Sequence, residues 1–425
     1  MAGLLLNPGV KRREAWAWAA FDFANSGYTT VVITAIYSAY FVAVIAGDAP
    51  WATLLWSGAL AVSYALIMLS GPWLGRWVDQ GAEQGWPRKK PMLLLTTLLC
   101  ALATLALGEV GPGQIGLAVI LIVISNLAFG MGENLIAAFL PELACGRGLG
   151  RLSGWGWGLG YLGGLLTLVV CLAWVDRGQA LGQTAAGFVP GTLAITAGLF
   201  VLTALPTFIW LRERPVPRPP IVRLQAGLNA LGAFPDLRRF LLCIVAYQSG
   251  VQAVIALAAI YAQQAMGFDT RQSILLIAVV NLTAALGAVL FGFLQDRIGH
   301  KATLAITLMG WLFTICLAWA ATEVSLFWGV ANLAGLCLGA SQSAGRALVG
   351  YLSPRAREAE FFGFWGLAVK LSSILGPLLY GVVVWLSGGQ HRIAMLALAP
   401  FFIVGLWLLV GIDLRCGRRA ARRAR

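Results

Sequence analysis

The chain has 425 residues, 59% of them hydrophobic and 11% charged, with a formal net charge of +13. A soluble domain carries roughly 25% charged residues, and the surface of a globule cannot absorb this much apolar area. The composition therefore excludes a soluble enzyme or a nucleic-acid-binding domain and indicates lipid as the natural solvent. The positive charge falls in short segments between apolar runs, where membrane topology accounts for it better than nucleic acid does.

A membrane-spanning helix needs about 20 apolar residues. Breaks at charged, Gly/Pro and polar clusters divide the chain into twelve such runs. In chain order they are 15–46, 52–75, 91–109, 115–140, 152–175 and 189–211, then 237–266, 272–295, 301–321, 324–346, 361–386 and 391–412. Very short links, such as Gly111-Pro112-Gly113, make neighbouring helices antiparallel. No alternating strand pattern recurs, which disfavours a transmembrane barrel. The first run contains Asp22 and Asn25 and is too long and too polar for the apolar region of a signal peptide.

The links also report orientation. Of the 30 basic residues, 26 fall in links on one side of the predicted membrane, Arg346 counted among them with Arg355 and Arg357. The other side holds Arg177, Arg271 and Arg392, and Lys370 lies within an apolar run. This asymmetry predicts cytoplasmic termini in a plasma (inner) membrane protein. The C-terminal run RCGRRAARRAR reads either as a topogenic anchor drawn to anionic lipid or as a regulatory, partner-binding tail. The seven cysteines are scattered without a CxxC pair, and the two histidines stand far apart. No metal, nucleotide or cofactor motif and no catalytic motif is present, so the sequence predicts neither a cofactor nor an enzyme.

The longest charged, proline-rich link, RERPVPRPP, lies at the midpoint. It divides the chain into residues 1–211, a linker 212–236 and residues 237–425, each flanking unit carrying six predicted helices. Within the linker, Leu224 to Phe234 has the pattern of a short interfacial helix. An internal echo supports the division: Gly75 and Asp79 follow the second helix of the first unit, and Gly292, Asp296 and Arg297 follow the second helix of the other. A glycine four residues before an aspartate lies one turn away on the same helix face. It admits a close neighbour, while the aspartate can accept from basic groups or from a helix N-terminus.

With helix count, midpoint loop and repeated Gly-xxx-Asp link, the chain resembles the major facilitator superfamily. The segments DFANS, LPEL followed by SGWGWGLGYLGG, and EFFGF before Gly376-Pro377 are similar to the branch that includes the autophagy-linked vacuolar amino-acid effluxers. The resemblance implies an all-α polytopic membrane protein with twelve transmembrane helices in two pseudo-symmetric six-helix bundles. It implies a secondary transporter that moves a small organic solute by alternating access, with amino-acid efflux the favoured reading. Another solute class (a drug-like compound, a siderophore or a sugar) and a non-transporting membrane sensor are the alternatives. The expected partners are a small-molecule substrate, the bilayer and, as a coupling ion, protons; a monomer is the default.

An ionisable group inside the bilayer costs about 2.5–3.5 kcal/mol on insertion scales, so each one marks a functional position by default. Asp22, Glu133 and Lys370 are such groups. The expectation is one charged cluster in the cytoplasmic half of a central cavity, with a static ion pair between helices as the structural alternative. Asn25, Ser26, Asn134, Gln248 and Gln252 are the uncharged candidates for substrate binding or for helix–helix hydrogen bonds. Gly75, Asp79, Gly292, Asp296 and Arg297 are the candidates for conformational gating. The glycines Gly154, Gly156, Gly158, Gly160, Gly163 and Gly164 predict close backbone approach along the fifth helix.

Overall fold

The computed structural model describes residues 5–47, 49–214, 231–355 and 357–423. Among the described residues, twelve helices are long and apolar enough to cross a membrane. They are α1 (Arg12–Ile45), α2 (Ala52–Glu83), α3 (Lys89–Gly108), α4 (Ile115–Leu143), α5 (Gly148–Ala180) and α6 (Ala185–Trp210). The second set is α7 (Pro235–Met266), α8 (Thr270–Ile298), α9 (His300–Ala320), α10 (Val324–Leu352), α11 (Glu358–Leu386) and α12 (His391–Val410). A shorter helix, α13 (Leu414–Arg423), closes the described chain. Helices are the only open-ended element that satisfies every backbone polar group within one lipid-facing segment.

Contacts repeat between the two sets. In the first, α1 packs on α5 and α6, α3 on α4 and α6, and α2 on α4. In the second, α7 packs on α11 and α12, α9 on α10 and α12, and α8 on α10. Shifting each helix by six positions converts one pattern into the other. The cross-contacts follow the same rule: α2 lies along α11 as α8 lies along α5, and α4 touches α11 as α10 touches α5.

Local sequence explains the irregularities. The run TTVVITA in α1 is rich in β-branched residues, which crowd a regular helical turn. The helix widens there over Thr29–Ala35, with the Ile36 amide reaching back to the Val31 carbonyl at 2.9 Å. Such widened turns recur at functional sites. The last carbonyls of a helix have no partner within it; at the end of α12 Lys301 donates to the carbonyl of Val410 and, just past the helix, to that of Ile412, both at 2.8 Å, and Arg239 donates to that of Gly411 at 2.5 Å.

Several boundaries differ from the sequence reading. α2 runs on to Glu83, so Gly75 and Asp79 lie within the helix rather than after it. α10 continues to Leu352, which places Arg346 inside a spanning helix and not in the following link. Arg346 is 3% exposed. The small residues around it keep the helix going, because a helix ends where packing or capping ends it and not at the first charge. As far as Arg423, the C-terminal run folds as α13: Asp413 accepts from the Arg415 and Cys416 amides at 2.8 and 3.1 Å, while Gly417 seats against Leu352 and Asp236. Most of the proposed interfacial helix, Leu224 to Ala230, lies outside the described residues; residues 231–233 form a single turn.

Candidate functional site

A cavity of about 560 Å³ lies between the two sets of helices. Its wall includes Asp22, Asn25 and Ser26 of α1, Glu133 and Asn134 of α4, Gln252 of α7, Gln342 and Arg346 of α10, and Lys370 of α11. The lining continues along α1 to Thr34 and Ser38 and reaches Trp56 near the start of α2. Thr34 is exposed there, so the cavity opens toward the end of the bundle opposite the basic links.

The basic end is closed by two equivalent contacts. Asp79 of α2 accepts from the backbone amides of Ala359 and Glu360, in the first turn of α11, at 3.2 and 2.9 Å. Asp296 of α8 sits at the first turn of α5, paired with Arg151 at 3.1 Å. The two glycines explain the closeness. A Cβ on Gly75 would collide with the Ala359 carbonyl, and one on Gly292 would come within 2.8 Å of the Gly150 carbonyl oxygen. An acceptor at a helix N-terminus is favoured by the unsatisfied amides and by the helix dipole. Arg297, the next residue, is exposed.

The expected three-membered charge cluster resolves into two separate pairs. Lys370 of α11 pairs with Glu133 of α4 at 3.3 Å, and its ammonium also lies 5.4 Å from the Tyr64 ring and 5.8 Å from the Phe129 ring. Asp22 pairs instead with Arg346 at 2.6 Å. The Arg346 guanidinium further donates to the Ser153 hydroxyl at 3.1 Å and to the Ser153 carbonyl at 3.0 Å. It stacks 4.7 Å from the Trp18 ring and 5.2 Å from the Trp157 ring. Both pairs join a helix of the first set to a helix of the second. The sequence reading missed Arg346 because it stood next to other link arginines. The signal that could have found it is the apolar continuation ALVGYL, which extends the helix by more than a turn.

The uncharged candidates divide by position. Asn25 and Ser26 line the cavity, and the Ser26 hydroxyl donates to the Asp22 carbonyl at 2.7 Å. Asn134 lines it too; its side-chain nitrogen is buried without a hydrogen-bond partner. Gln252 is on the wall, whereas Gln248 sits behind it, donating to Gln342 at 2.7 Å. The glycines of α5 split between two faces. Gly154 and Gly158 lie against Ala288 and Val289 of α8; Gly156, Gly160, Gly163 and Gly164 lie against α1, Gly156 directly against the Asp22–Arg346 pair. A second, apolar chamber of about 190 Å³ adjoins the cavity and shares Tyr161 and Ile255 with it. Among the described residues no group of three or more His, Cys, Asp or Glu is placed to hold a metal ion.

Comparison with known proteins agrees with this architecture. Residues 146–422 match the family described as "Vacuole effluxer Atg22 like". An MFS-type transporter of Bacillus subtilis, YxiO, is 25% identical over 406 residues, covering 92% of this chain and 93% of its own. Autophagy-related protein 22-1 of Neosartorya fischeri is 24% identical over 306 residues, covering 64% of this chain; the chain spans about half (49%) of that relative's length. Among solved structures, the human organic anion transporter MFSD10 superposes with a TM-score of 0.70 at 13% identity, over 94% of this chain and 99% of its own. A bacterial ferroportin homologue in an outward-facing state gives a TM-score of 0.70 at 14% identity, over 94% and 99% of the two chains. With its twelve membrane-spanning helices, its repeated packing and this match, the chain belongs to the Atg22-like vacuole effluxer family and is a transporter of the major facilitator fold.

Proposed function

We propose that this protein is a secondary active transporter that moves an amino acid or a related small zwitterionic metabolite by alternating access, in the direction of efflux. One observation carries the reading. A cavity between the two helix sets presents a cation and an anion that are paired with each other and yet open to the cavity. Glu133 and Lys370 are 27% and 13% exposed in their side chains. Lys370 has three donors and spends one on Glu133, so a substrate carboxylate finds a partner there and its ammonium finds Glu133. Asn25, Ser26, Asn134 and Gln252 supply hydrogen bonds beside the pair. Gln248 supports the wall through Gln342.

In this reading residues 1–211 and 237–425 are the rocking units and 212–236 is their linker. The gating contacts are those of Gly75, Asp79, Gly292 and Asp296. The basic end faces the cytoplasm of a plasma (inner) membrane protein with cytoplasmic termini, and one chain is the functional unit. Protons are the proposed coupling ion. The adjoining apolar chamber favours one second reading, a bulkier amphipathic or drug-like solute.

The test is a flux panel of amino acids and peptides in proteoliposomes, with and without an imposed pH gradient, comparing wild type with Lys370→Met and Asp22→Asn. Gradient-dependent flux of an amino acid that both variants lose is expected. Intact protein that moves no amino acid would remove the substrate assignment.

A further inference from the structure

Arg346 is carried by α10, but its charge is neutralised entirely from the other helix set. Its ion-pair partner, Asp22, is on α1. Both hydrogen bonds to Ser153 and the ring of Trp157 are on α5, and Trp18 is on α1. Space for the guanidinium is made by Gly156, where a Cβ would overlap both Asp22 and Arg346. The pair lies on the cavity wall, toward the closed basic end.

Alternating access requires that end to open, and α10 then parts from α1 and α5. All of these partners are lost in one movement. A guanidinium stays charged at any accessible pH, and a charge stripped of its partner away from water is strongly unfavourable. Until water reaches the parting helices, a mobile anion that follows Arg346 as Asp22 leaves lowers that cost. The cavity is the route by which one arrives, because Asp22 and Arg346 both face it. A guanidinium matches a carboxylate with two parallel donors.

We propose that Arg346 is an anion-accepting residue of the transport cycle, at which the carboxylate of the transported solute replaces that of Asp22. The inference rests on reading the cavity as the substrate site, and it adds a role for the solute's anionic group in opening the basic end. Lys370 and Glu133 then serve first contact, and Arg346 serves the passage. A solute without an anionic group would enter the cavity and open the basic end more slowly.

The experiment uses the purified full-length chain. Asp22→Ala removes the resident carboxylate and leaves Arg346 facing a gap about one carboxylate wide. Thermal unfolding is followed against sodium acetate, with sodium chloride and ethylammonium chloride at equal ionic strength as controls. The expected result is a saturable rise of about 3 °C or more with acetate alone. Wild type and Asp22→Ala/Arg346→Gln are expected to show no such rise. Asp22→Ser, which also vacates the carboxylate position but keeps a polar group there, runs in parallel in case the alanine variant does not fold. A rise that chloride reproduces, that survives the loss of Arg346, or that never occurs overturns the proposal. The outcome is independent of the amino-acid assignment. An acetate response without amino-acid flux keeps the anion site and removes that substrate, and flux without an acetate response does the reverse.

Discussion

Asp79 and Asp296 occupy equivalent places, each on the second helix of its set and each at the first turn of a helix from the other set. Asp79 meets two backbone amides of α11, and Asp296 meets Arg151 of α5. A carboxylate at a helix N-terminus contributes typically 0.3–1 kcal/mol at exposed sites, up to about 2 kcal/mol when partly buried. Asp79→Asn and Asp296→Asn are each expected to shift the balance away from the closed basic end by roughly five-fold, at about 1 kcal/mol apiece. Spin labels at the exposed Trp86 and Arg238, one in each helix set, would report a longer distance population. An unchanged distance distribution in both variants would show that these aspartates do not hold the end shut.

Close approach makes a sharper prediction. Gly75→Leu and Gly292→Leu place a side chain where the neighbouring backbone already stands. Overpacking of this kind costs about 1–3 kcal/mol or more. The closed state should be lost and transport abolished, while the chain still inserts and remains folded. Gly58→Leu is the control, since nothing lies within 4 Å of its Cβ position. Equal activity of the Gly58 and Gly75 variants would contradict the packing argument.

The two charge pairs differ in burial, and so should their variants. Asp22 and Arg346 are 10% and 4% exposed in their side chains. Removing one partner of such a pair costs about 3–5 kcal/mol, because the other charge is left stranded. Arg346→Met alone should therefore be less stable than Arg346→Met/Asp22→Asn. For the more open pair, Glu133→Gln should cost no more than about 1 kcal/mol and should act mainly through KM. Thermal melts arranged as a double-mutant cycle, with flux kinetics beside them, separate these cases. Similar losses of stability for Glu133→Gln and Arg346→Met would merge the pairs into one structural lock.

The C-terminal helix gives an independent check. Its Asp413 cap accepts the Cys416 amide, and that bond holds the carboxyl below its usual range. A depressed folded value means that the cap is intact above the ordinary aspartate pKa of about 3.9 and is lost as the pH falls through the folded value. A spin label on the exposed Cys416, with Cys145 and Cys316 replaced by serine, should gain mobility in Asp413→Ala at neutral pH. Wild type should gain it only in acid. Immobile label in the variant would mean that the seat of Gly417 on Leu352, and not the cap, fixes the helix.

Much was legible before any coordinate. Apolar run length alone specified twelve spanning helices, because a bilayer of fixed thickness and an unforgiving backbone leave one solution. The Gly75–Asp79 and Gly292–Asp296 repeat pointed to a duplicated contact, and Asp22, Glu133 and Lys370 stood out because charge in an apolar run is costly. What the sequence could not decide was pairing. Asp22 chose Arg346 over Lys370 because α10 runs a further turn past the apparent end of its apolar run and α5 opens a glycine-lined slot for the guanidinium. Likewise, nothing in the spacing of Gln248 and Gln252 says that one faces the cavity and the other faces Gln342. Burial in lipid is a property of single segments, and a linear chain displays it. Which charges meet depends on the rotation and the exact ends of helices distant in sequence, and only their packing fixes those.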